Sequence, residues 1–254
     1  MTSGMLPIIK LNAELDLRGT LPLIINHNAD LERVMVFCQN YRRRGICSLF
    51  LEGLPRLLHG DLQRSGTAFL HGLLTATNEE KITSKAAPFF DAVACKDFRT
   101  AREIARHSRH IWNEQEEYED DFLYVFFLMS KFFLEGTRLE LNAIIERYVM
   151  LLDGAMDVHC AICKSFFEND SYAFEASLSE LLSQKEDYLK CGMNRDEIPE
   201  EEWVTEGLLS VEGIALVRLA EIQGFKTGNN YLFVPSIVLE NPKIIYEQDS
   251  WKGP

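Results

Sequence analysis

With 254 residues, 46% hydrophobic and 26% charged, the chain has the composition of a folded domain with a sizeable core, not of a disordered segment. Its 39 acidic residues outnumber its 26 basic ones, a formal net charge of −13, so its surface repels nucleic acid and anionic lipid and attracts basic proteins. The longest apolar run, Phe122 to Met129, is eight residues, well short of the roughly 20 that a membrane span requires.

The opening stretch, MTSGMLPIIKLNAELDLRG, has neither the basic start nor the sustained apolar run of a signal peptide, and Pro7 and Lys10 interrupt it. It reads as an irregular segment over 1–27, and the protein as cytoplasmic. Beyond it apolar residues recur at three and four. The expected fold class is all-α: an irregular stack of antiparallel helical hairpins in a single domain, 1–254. Helices are expected near 30–44, 46–59, 62–76, 86–94, 98–112, 115–134, 138–152, 155–168, 171–189 and 204–223. Three junctions look alike: Gly60-Asp61, Lys96-Asp97 and Asn169-Asp170 each place a polar pair after an apolar stretch. In each, the Asp can cap the following helix by accepting its free N–H groups. Their spacing loosely suggests repeated helical hairpins.

The segment 190–203 reads as an acidic exposed loop, with Gly192 and Pro199 as breakers. The last helix stops at Gly224, a good left-handed cap. The remainder, 224–254, reads as an irregular tail. Within it "YLFVPSIVL" is expected as a short extended strap, limited to an edge by Pro235.

The six cysteines, Cys38, Cys47, Cys95, Cys160, Cys163 and Cys191, lie scattered in apolar segments and read as reduced thiols. Cys160 and Cys163 follow His159, but no second pair stands at zinc spacing, so they read as small buried residues of a helix. No metal or cofactor is expected.

Six carboxylates fall within eight residues, 114–121, directly ahead of the Phe-rich run. Asn113 can cap a helix, with Glu116 completing a capping box. Acids in a first helical turn are favoured by about 0.3–1 kcal/mol each against the partial positive charge there. Arg99, Arg102, Arg106 and Arg109 share one face of the preceding helix and can reach Glu117, Asp120 or Asp121. These arginines do not suffice for every acid nearby, so some carboxylates should remain free for a partner.

Enzyme readings find little support. A magnesium site of the prenyl-diphosphate kind at Asp120-Asp121 needs a further acid where Tyr124 stands, and its second half fails at Ala173 and Ser177. Glu186, Asp187 and Lys190 have the residue types of a nuclease motif but lie in a helical, acidic segment. No phosphate loop, metal-protease motif or nucleophile elbow is present.

The order "FFDAVACKDFRTAREIA", "WNEQEEYEDDFLYVFFLM", "VEGIALVRLAEIQGFKTGNNYLFVPS", from about Ser84 onward, resembles the immunity protein 49 family of bacterial polymorphic toxin systems. The most specific pieces are the acid-rich start of the Phe-rich helix and the Glu212-Gly213 helix with its Gly224 stop and Tyr231…Pro235-Ser236 tail. The resemblance implies a helical, non-enzymatic antidote that binds a cognate secreted toxin domain, often a nuclease delivered by contact-dependent or type VI secretion. It transfers no toxin-binding residue. Charge alone nominates Glu114, Glu116, Glu117, Glu119, Asp120 and Asp121, then Glu200, Glu201, Glu202 and Trp203, as the surface for a basic nuclease. The alternatives are a helical scaffold that binds peptides and a metal-dependent helical enzyme using Asp120 and Asp121.

Overall fold

The structure, a computed structural model, describes residues 4–195, 197–241 and 247–253. Parts of the N-terminal segment, acidic loop and tail read above therefore lie outside the described residues. Among the described residues eleven α-helices follow in order: α1 Leu6–Ile25, α2 Leu31–Glu52, α3 Pro55–Leu73, α4 Ala87–Ala94, α5 Phe98–His107, α6 Glu119–Phe132, α7 Arg138–Leu152, α8 Val158–Glu168, α9 Ser171–Asn194, α10 Glu200–Trp203 and α11 Val211–Gln223. No strand occurs among the described residues. The expected extended strap is a single bridge between Tyr231 and Val234, followed by a 3-10 turn at Ser236–Leu239. The fold is all-α, with neighbours in sequence packed as hairpins: α1 on α2, α2 on α3, α4 on α5, α6 on α7 and α8 on α9.

Residues 1–27 depart from the sequence reading. α1 runs through them, burying Leu6, Ile9, Ala13 and Leu17. Pro7 sits in its first turn, where no N–H is needed, and Pro22 in its last.

A second departure lies in α2 and α3. The expected break between 44 and 46 is absent because Gly45 is a point of close approach, not a turn. A Cβ there would lie 3.0 Å from Asp61 Cβ and 3.3 Å from the Leu58 backbone. The real break is Gly53, in the left-handed conformation at φ 68°, followed by Pro55 in the first turn of α3. Asp61 is therefore no cap. It is buried inside α3 and receives Arg44 Nη2 at 2.6 Å, Arg44 Nε at 2.9 Å and Arg64 Nη1 at 2.8 Å. A paired and hydrogen-bonded charge is the form in which burial is tolerable. The hairpin echo thus keeps two of its three junctions: Asp97 accepts from Thr100 N, and Asp170 from Tyr172 N and Ala173 N.

α6 runs through the core. Phe122, Leu123, Tyr124, Val125, Phe127, Leu128 and Met129 are all buried, each large apolar side chain contributing about 1.5–3 kcal/mol. The tail is irregular yet anchored. Trp251 is 2% exposed, its carbonyl accepts the Tyr41 hydroxyl at 2.6 Å, and Ser250 donates to Gln63. No helix among the described residues is long and apolar enough to cross a membrane.

Candidate functional site

The acid-rich stretch is a turn and then a helix start, not a capped helix from 113. Glu116 and Glu117 donate their N–H groups to the Asn113 carbonyl, and α6 begins only at Glu119 with no side-chain cap from Tyr118. Glu119, Asp120 and Asp121 fill its first turn, where the helix N-terminus favours them.

Glu117 fixes this turn in place. It is buried; one carboxylate oxygen accepts the Ser84 N–H at 2.8 Å and the other the Asn113 N–H at 3.2 Å. The Trp112 indole donates to the Glu117 carbonyl at 3.0 Å. Glu117 therefore cannot present its charge outward, a correction to its place among the contact residues. Glu119 is spent on an ion pair with Arg147, whose guanidinium also lies 5.8 Å from the Trp112 ring centroid.

The arginines of α5 and Arg109 just beyond it do not meet the tip. Arg106 pairs with Glu103 on its own helix, and Arg109 donates to the carbonyls of Ile111 and Asn78. Arg99 and Arg102 have no ion pair among the described residues. Glu114, Glu116, Asp120 and Asp121 likewise make no ion pair among the described residues, although the charge of His159 acts on Asp121, and Glu114, Glu116 and Asp121 are exposed. Partial loss of water, then the charge of neighbouring Asp120, holds the Asp121 carboxyl above the usual carboxylate range.

The second nominated group is not a free loop. Residues Glu200–Trp203 form α10, and Trp203 packs on a small apolar cluster of Leu6, Ile9, Cys47 and Val204. Glu201 lies 3.3 Å from Arg43, which also meets Glu206 at 3.3 Å. Glu200 is exposed.

Between the two groups runs one face of α2. A cleft of about 670 Å³ lies on it, reaching Glu116 at the tip. Arg42, at its inner end, is committed inward: its Nε donates to Asp91 at 2.7 Å and its Nη2 to the Ala87 carbonyl at 2.9 Å. A second cleft of about 510 Å³ opens on the other side of Arg42, beside His159, Lys185, Glu206 and Glu212. There the Tyr124 hydroxyl donates to Glu212 at 2.7 Å, and His159 Nε2 lies 3.6 Å from the same oxygen. Burial opposes the charge on His159, but the hydrogen bond and charge of Glu212 outweigh it and raise its pKa. Burial likewise opposes charge on Glu212, and His159 followed by Tyr124 outweighs it and lowers its pKa. This network ties α6, α8 and α11 together. Sequence reasoning singled out Glu212-Gly213 only as part of a family pattern; its link to Tyr124, 88 positions away, leaves no local signal.

Cys160 and Cys163 are buried in α8, and no group of three or more His, Cys, Asp or Glu among the described residues is placed to hold a metal ion.

A family model described as immunity protein 49 matches residues 61–237. The match starts inside α3, ahead of the Ser84 from which the sequence pattern was legible, and takes in the tip, α10 and α11. Comparison with curated proteins and with solved structures gives no match. Well over half of the chain lies within the matched range, so the protein belongs to the immunity protein 49 family, and its role is that of an immunity protein, the antidote to a cognate toxin.

Proposed function

We propose that this immunity protein acts in the cytoplasm and neutralises a basic nuclease toxin by covering its substrate groove with the acidic face formed around the α6 tip. The observation that carries the reading is the set of unspent carboxylates, Glu114, Glu116, Asp120 and Asp121, fixed on a turn that Glu117 and Trp112 tie down. A nuclease holds phosphate with lysines and arginines, and an acidic inhibitor reproduces the field that those residues are built to meet. Preorganised charge of this kind speeds association more than it deepens the final affinity. Exposed Glu200 at the start of α10 supplies to the toxin a further acid, unpaired among the described residues, whereas Glu201 pairs with Arg43 and Trp203 packs on Leu6, Ile9, Cys47 and Val204.

The test is affinity capture of the toxin with the whole immunity protein, followed by a nuclease assay on the captured domain with and without it. The reading expects a basic domain whose nucleic-acid cleavage is abolished by stoichiometric immunity protein. Capture of a toxin with no nuclease activity, or of one that is itself acidic, would overturn it.

A further inference from the structure

We infer that the cleft beside the tip receives an apolar side chain that the toxin carries between lysines or arginines, so that recognition has a hydrophobic anchor as well as a field. The inference rests on the toxin-binding reading above and names the chemistry of one contact within it.

The cleft has two unlike parts. Its floor is apolar: Leu31, Met35, Val36, Phe69, Ile82 and Pro88. Val36 is 54% exposed at the outer surface of α2, so the floor is open to a visitor. Its rim is acidic: Asp30 and Glu32 at the start of α2, Glu80 in the segment between α3 and α4, and Glu116 on the tip, against Lys85 alone. Arg42 adds no free positive charge, because Asp91 takes it. Glu32 and Glu116 have no ion-pair partner among the described residues. Asp30 caps α2 by accepting from Arg33 N, and Glu80 accepts from Thr77 N, so both carboxylates are held in place at the rim.

Glu32, Met35, Val36, Gln39 and Arg42 follow helical spacing on one side of α2. One rigid helix therefore presents rim charge, apolar floor and inner end in line. A neutral apolar visitor would gain nothing from four surrounding carboxylates, and a bare cation would leave the floor wet. A segment that places an apolar side chain on Val36 and cations against Glu32 and Glu116 uses both parts.

Val36→Glu separates the two contributions by sign. The probe is the toxin domain recovered by the capture above, with association and dissociation rates measured separately. If only the field mattered, another carboxylate would leave association as fast or faster and dissociation unchanged. The anchor instead predicts dissociation at least tenfold faster in Val36→Glu and in neutral Val36→Gln, with association unaltered in the latter. Val36→Gln keeps the test valid should Val36→Glu lose its fold, which a thermal melt would show. Unchanged dissociation in a folded Val36→Gln, with the toxin still bound and its nuclease inhibited, would sink the anchor while leaving the nuclease-inhibitor reading intact. Failure to capture any toxin would remove both.

Discussion

The segments 114–121 and 200–206 look alike as sequence and differ as structure. Both are dense in carboxylates, Glu and Asp in the first and Glu alone in the second, and both carry or adjoin a tryptophan, Trp112 and Trp203. In the first, one acid is turned inward and one is paired, which fixes the turn and leaves Glu114, Glu116, Asp120 and Asp121 without an ion pair among the described residues. In the second, Arg43 draws in Glu201 and Glu206, and Trp203 closes an apolar cluster under α10. Acid density sets the net charge of a segment; where each carboxylate is spent decides whether that charge faces a partner. The lesson is sharpest at Glu117, whose neighbours in sequence are exposed while it serves as a tether.

The comparison breaks most visibly at that tether. Glu117→Ala leaves two backbone donors, on Ser84 and Asn113, without their acceptor, and should cost about 2–4 kcal/mol, a Tm drop of about 4–16 °C. A melt within a degree of wild type would mean that the turn holds without it. Next is the combined reversal Glu114→Lys, Glu116→Lys and Asp121→Lys. It should cost about 1 kcal/mol, because Asp121 leaves the first turn of α6, yet slow toxin association by about 10–100-fold at low salt. Trp203→Ala should do the converse. Loss of its packing on Leu6 and Ile9 should cost about 1–2 kcal/mol, with association altered by less than about threefold. A larger effect on association than on melting would make α10 a contact surface instead of a support.

The smallest effect is one of pH, at the network behind the second cleft. His159 has a raised pKa, so its contribution is complete below its ordinary 6.5 and is lost as pH rises through the folded value. Glu212 has a lowered pKa, so its contribution is complete above its ordinary 4.5 and is lost as pH falls through the folded value. Their pairing should therefore stabilise most between 4.5 and 6.5. The Tm difference between wild type and Glu212→Gln should shrink as pH rises from 6.5 into the alkaline range. Buried His59, pushed down to about 4, destabilises both proteins as pH falls below 6.5 and cancels in that difference. A difference independent of pH would show that the network holds through the Tyr124 hydrogen bond alone.

What the sequence made legible was local. The Phe-rich core helix, the caps at Asp97 and Asp170 and the Gly224 stop depend on residues within a turn of one another. α1 was hidden by Pro7, which resembles a breaker but stands in its first turn. Gly45 reads as a break while the true one is Gly53, because close packing of α2 on α3 and a turn call for the same residue. At the site, total charge was readable and its disposal was not. Glu117 meets Ser84 across 33 positions and Glu119 meets Arg147 across 28. Only the fold brings such pairs together, and no spacing rule marks either acid as different from Glu116.

The central claim is that unspent carboxylates of the α6 tip draw in a cationic toxin. Stopped-flow association of the captured toxin with wild type and with the triple reversal, across salt from about 10 to 500 mM, tests it most directly. The account predicts a wild-type rate that falls steeply with salt, a reversed variant that is slow at low salt and nearly flat, and the two converging at high salt. Equal rates for both proteins at every salt concentration would contradict it.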